Sequence, residues 1–190
     1  MNAFLPDLSV VGHVRKRARI VQFPFRLPSP RKFDAVGFGL SAVDHLIVVS
    51  EYPRFDSKMR FKEHQQSAGG QTATAMVALQ RLGLQTAYAG RFGSDSEGHF
   101  GLSSLKVEGV DIELAEVVPG ARNQIAFIII DARSGNRTII WDRDERLTYS
   151  FGEAPISLSS RGRVLHIDAH DPPACARIAH GAKATGTILT

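Results

Sequence analysis

The chain has one cysteine in 190 residues, no second thiol to pair with it, and seven histidines in no metal-ligand spacing. Cys175 therefore forms no internal disulfide, and neither a zinc site nor a redox pair can be built on it. Its neighbours Pro172, Pro173, Ala174 and Ala176 carry nothing that would activate a thiolate, so a bystander thiol in a reducing, cytoplasmic setting is expected. No H-E-x-x-H or related pattern occurs, and a dedicated metal site is not expected. Long apolar runs are also missing. A spanning helix needs about 18 to 20 apolar residues, and the longest run, Ile125 to Ile130 with its neighbours, falls short. No membrane partner is expected.

What is present fits one globular domain: 43% hydrophobic residues with both signs of charge. The net charge of +4 is unevenly spread. Residues 1–32 carry seven basic side chains against the single acid Asp7, whereas the rest has sixteen against eighteen. A nucleic-acid partner would have only this leader to bind, and none is expected. With Pro6, Pro24, Pro28 and Pro30 and no sustained period, residues 1–32 read as a basic, disordered leader. An extension from an upstream start, a targeting peptide and an electrostatic tail all remain open for it.

Order is expected from Phe33, where Phe33 to Gly39 reads as a buried strand ending in a glycine turn. Gly37, Gly39 and Ala42 spell the dinucleotide-binding G-x-G-x-x-A, which requires a helix after the turn. The β-branched run Val43 to Val49 follows instead, so a dinucleotide site is not expected.

Ser67-Ala68-Gly69-Gly70-Gln71 is a glycine turn feeding a helix over Thr72 to Leu82, with Ala75, Met76, Leu79 and Leu82 at helical spacing and Gly83 closing it. Paired glycines admit a ligand close to the backbone, and the first-turn amides can donate to hydroxyl or phosphate oxygens. A strand at Thr86 to Ala89 follows, then Gly93-Ser94-Asp95-Ser96-Glu97-Gly98, a helix, and Gly109-Val110-Asp111. This order resembles the ribokinase-like, PfkB-type carbohydrate kinases over residues 33–190.

The resemblance implies an α/β, ribokinase-like three-layer fold with a central, mostly parallel sheet plus a small β-sheet lid. It implies phosphorylation of a sugar or nucleoside hydroxyl with ATP and Mg2+. Asp44 matches the family's hydroxyl-gripping aspartate, Gly69 and Gly70 its substrate-contacting glycines, and Asp168 a residue of its substrate wall. Thr74 stands where the family usually has asparagine; its shorter side chain lacks the amide's donors, and Gln71 is a candidate to compensate. The strands at about 45–64 and 123–141 match the lid, which excludes water in the family and mediates dimer contacts in some members.

The hairpin Gln124 to Asp131 with Arg137 to Trp141 turns at Ser134-Gly135-Asn136. Trp141, Phe127 and Ile129 are expected to pack within that sheet, and Asn123 and Arg137 to be flanking polar residues. Arg163 to Asp168 reads as a core strand with His170 and Asp171 in the loop beyond it, and Cys175 to Lys183 as a helix.

Gly186 to Thr190 resembles the start of another core strand, and no Gly-Ala-Gly-Asp occurs in the chain. The family's helix N-terminus for the transferring phosphoryl and its catalytic base lie in that motif. The expectation is thus a fold truncated at its C-terminal half, with the base beyond Thr190, no catalytic residue here, and no phosphorylation by these residues alone. The alternative is a non-catalytic sugar-binding or dimerising module.

Overall fold

The computed structural model describes residues 27–190. Most of the leader lies outside them. Of its last residues, Arg31 donates to the carbonyls of Gly162 and Thr185, each at 2.8 Å, and Lys32 pairs with Glu113.

Five strands form an all-parallel central sheet in the order β5-β4-β1-β8-β9: β1 (Phe33–Phe38), β4 (Thr86–Gly93), β5 (Asp111–Val118), β8 (Gly162–Ile167) and β9 (Ile188–Leu189). Being covered on both faces, β1 and β4 read as near-continuous apolar runs. Ala35, Tyr88 and Phe92 pack against Met76 and Leu105 of helices α1 (Gln71–Arg81) and α2 (Ser96–Val107). On the opposite face Val36, Phe38, Ala87, Ala89 and Leu165 meet Ala174, Cys175 and Ile178 of α3 (Pro172–Ala184). The result is the expected three-layer α/β architecture.

The remaining strands make a second sheet in the order β3-β2-β6-β7: β2 (Ala42–Val49), β3 (Phe61–Gly69), β6 (Ile125–Asp131) and β7 (Arg137–Asp142). The expected hairpin forms between β6 and β7, β2 pairs antiparallel with β3, and parallel pairing of β2 with β6 joins the two. Trp141 departs from its expected place in the sheet's packing. It is 61% exposed on the edge strand β7, which is exposed along its whole length, and Phe127 of β6 is 40% exposed.

Several boundaries differ from the sequence reading. β3 runs through Ser67 and Ala68 to Gly69, so the turn into α1 is confined to the glycine pair. β4 continues to Gly93 because Arg91, paired with Glu116 and Glu153 and lying 4.0 Å over the Tyr149 ring, is accommodated at the sheet surface. β5, whose half-exposed residues give no clear apolar pattern, was not expected beyond Asp111.

Candidate functional site

Strand β1 ends on Phe38, and the chain crosses into the second sheet through Gly39, Leu40 and Ser41. The site is built around this crossing. Gly70, the residue before α1, has φ 100°, a left-handed conformation that favours glycine, and a Cβ there would run into the Leu40 carbonyl. The same carbonyl accepts from Ala73 N at 3.2 Å, tying the first turn of α1 to the crossing. No side chain among the described residues caps this N-terminus, so α1 leaves its first two amides, Gln71 N and Thr72 N, uncovered. The α3 N-terminus is also uncapped but opens with Pro172 and Pro173, which have no N–H to offer.

Asp44 stands on β2 between Ser67 of β3 and Ala126 of β6. Its carboxylate leans over Gly69, where any Cβ would overlap Oδ2. Burial pushes the carboxyl above its ordinary range, offset in part by His45, and among the described residues no hydrogen bond supports its charge. Asp44, Gly69, Gly70 and the α1 N-terminus thus form one patch of carboxylate and backbone.

Asp168 follows β8 on the other side of the crossing and is fully engaged. Its Oδ2 accepts from Leu40 N at 2.7 Å and from Thr72 Oγ1 at 2.8 Å, and its Oδ1 from His170 N at 3.0 Å. Gly39 admits this carboxylate, since a Cβ there would lie 2.5 Å from it. Asp168 therefore braces the crossing and α1, and its separation from the Asp44 patch is spanned by Leu40.

The remaining expected residues fall elsewhere. Gln71 is exposed in the first turn of α1. Thr74, two residues beyond Thr72 and so roughly 200° around the helix, turns away from Asp168. It lines a groove of about 580 Å³ between α1, α2 and β3, together with Ser41, Gly69, Val77, Phe100 and Ser104. That groove meets the Asp44 patch at Gly69; neither Asp44 nor Asp168 lines it.

His170 and Asp171 form no acid/base pair. Asp171 is spent on Arg143, whose two terminal nitrogens lie 3.2 Å from its oxygens, and on Tyr149 N, while burial and the Arg143 charge hold His170 below its ordinary range. The Cys175 thiol is raised by burial, as fits a bystander. Asn123 is buried, with its side chain bonded to Gly93 N and the Gln124 carbonyl, and Arg137 is exposed. Sequence reasoning missed Gln124, whose side-chain oxygen is buried without a hydrogen bond among the described residues. A glutamine entering a strand gives no signal of this in sequence.

The donor set suits a polyol: a carboxylate that can accept two hydroxyls beside amides that can donate. Among the described residues no three His, Cys, Asp or Glu side chains are grouped to hold a metal ion, and no transfer step is assigned to them.

A family model described as pfkB family carbohydrate kinase matches residues 33–187. The chain belongs to that family. It is 26% identical over 157 residues to a nucleoside kinase of Methanothermobacter thermautotrophicus, covering 83% of this chain and 50% of the relative. The crystal structure of a putative ribokinase from Agrobacterium tumefaciens superposes with a TM-score of 0.73 at 28% identity, covering 83% of this chain and 52% of that one. The Arabidopsis thaliana ribokinase complexed with ribose and ATP reaches the same TM-score at 18% identity, a likeness of fold. This pfkB-family chain thus spans about half the length of the relatives it matches.

Proposed function

We propose that residues 33–190 are the substrate-holding part of an ATP-dependent sugar or nucleoside kinase, binding the acceptor polyol without performing the transfer themselves. The observation that carries this reading is the Asp44 carboxylate, without a hydrogen bond among the described residues, leaning over Gly69 beside the N-terminus of α1, which no side chain among them caps. An ionised carboxylate taken partly out of water gains most from ligand hydroxyls that donate to it. Asp44 would fix two vicinal hydroxyls while α1 amides donate to a neighbouring oxygen, setting the direction of the acceptor oxygen. The second sheet would act as the lid, keeping water from that oxygen. Mg-ATP and the proton-accepting base would be supplied by residues outside these 190, in keeping with the lack of a Gly-Ala-Gly-Asp segment.

The opposite face of the lid presents His45, Phe127 and Ile140 in one register row, and we assign it to a second copy of the chain. The single buried thiol agrees with a reducing, cytoplasmic location, and no helix among the described residues is long and apolar enough to cross a membrane.

The test is direct. The purified chain should bind D-ribose, D-fructose or adenosine saturably, lose that binding with Asp44→Ala, and form no sugar phosphate from Mg-ATP. Turnover by the 190-residue chain would overturn the second clause.

A further inference from the structure

We infer that Gln124 is a specificity-determining residue of this site, its side-chain oxygen accepting a hydrogen bond from a hydroxyl of the bound polyol; the inference rests on the substrate-holding reading above. Gln124 is 7% exposed, and its Oε1 is fully buried without a donor among the described residues. Such an orphaned acceptor is rare in a folded interior and is costly unless something supplies a donor.

The sheet register locates it. Asp44 lies directly beside Ala126 in the parallel β2–β6 pair, and Val43 N donates to the Gln124 carbonyl at 3.0 Å, so the ladder extends one residue ahead of β6. Side chains alternate along a strand, which places 124 and 126 on the face that carries Asp44. By the same register, the row containing Gln124 holds Ala42 and Gly69 on one side, and Arg143, just past β7 and bonded to Asp171 and the Leu147 carbonyl, on the other. The row above holds Ser67, Asp44, Ala126 and, across β7, Trp141.

Two rows of one face thus set a carboxylate and a lone amide oxygen around a floor of alanine and glycine. The Asp44 carboxylate leans over Gly69, toward that floor. A polyol seated there meets the Asp44 carboxylate, and a turn of the Gln124 side chain, whose oxygen is closed to solvent in this conformation, brings that oxygen to a second hydroxyl; an analogue lacking that hydroxyl would leave the oxygen orphaned. That makes the contact a source of discrimination.

Trp141 is the only tryptophan in the chain and lies on the same face, so its fluorescence reports occupancy. The experiment titrates the full chain with D-ribose, D-fructose and adenosine, then with the monodeoxy analogues of whichever binds, in wild type, Gln124→Met, Gln124→Leu and Asp44→Ala. The expected result is a loss of affinity of about 5- to 10-fold in both Gln124 variants. One deoxy analogue should bind wild type and variants alike, and the melting temperature of the variants should be unchanged or raised, because the orphaned oxygen is gone. Affinity equal to wild type in Gln124→Met and Gln124→Leu, with Asp44→Ala still abolishing binding, overturns the inference and leaves the substrate-holding reading standing. Absence of binding in wild type, or binding indifferent to Asp44, overturns both. A melting temperature lowered by several degrees in both variants also counts against it, since the oxygen would then be serving the fold.

Discussion

The two glycine turns of this chain, at Gly69–Gly70 and at Gly93–Gly98, both lead from a strand into a helix, yet they spend their polar groups in opposite ways. In the second, Asp95 caps α2 through Gly98 N and accepts from Asn123 N with its other oxygen, both at 3.0 Å. Asn123 in turn accepts from Gly93 N at 3.1 Å, and a Cβ on Gly98 would strike the Gly93 carbonyl. The side chains of Asp95 and Asn123 are both spent, and the turn clamps the entrance of β6 to the central sheet. In the first, no side chain among the described residues caps α1, whose third amide goes to the Leu40 carbonyl, and among them Asp44 accepts no hydrogen bond. A closed turn stabilises the fold, whereas an open one leaves bonding capacity for a ligand.

The contrast is most exposed to failure at Gly98. Gly98→Ala places a methyl group against rigid backbone, and the expected cost is about 3 to 5 kcal/mol, or loss of a cooperative melt by circular dichroism. A tolerated alanine would mean that the turn is not closed. Asp95→Ala comes next: a lost cap and an orphaned Asn123 amide together cost about 2 to 3 kcal/mol in urea unfolding, with sugar affinity kept in the folded protein.

Asp44→Asn should do the reverse, raising the melting temperature at neutral pH while removing binding. The folded carboxyl titrates above its unfolded value, so its contribution to stability is present below the unfolded value and lost as pH rises through the folded one. The gain from Asn should therefore shrink as the solution is acidified through that range. A variant less stable than wild type at neutral pH would show that Asp44 supports the fold. The smallest effect is expected at Thr74, on the groove side of α1: Thr74→Asn should leave the melting temperature within a degree or two and change sugar affinity only a few-fold.

Much of this was legible in sequence because local signals agreed. The glycine pair, the helical period after it and the apolar core strands announced α1, β1 and β4, and the Ser134-Gly135-Asn136 turn announced the β6–β7 hairpin. The parallel pairing of β2 with β6 was not legible, since residues 44 and 126 are joined by no turn signal. That pairing is what brings Gln124 near Asp44. The roles of Asp168 and Asp171 were hidden for a related reason: their partners, Leu40, Thr72 and Arg143, lie far away in the chain. A motif residue's identity did not reveal whether its bonds were already spent, and Asp168 and Asp44 differ in this respect.

The central claim is that this chain holds a polyol through Asp44 at an open glycine turn. Calorimetric titration of the purified chain with D-ribose, D-fructose and adenosine, run beside Asp44→Ala, tests it most directly. The account predicts saturable binding of at least one of them that disappears in a variant melting no lower than wild type. Heat of binding that survives Asp44→Ala unchanged, or a well-folded wild type that binds none of the three, would contradict it.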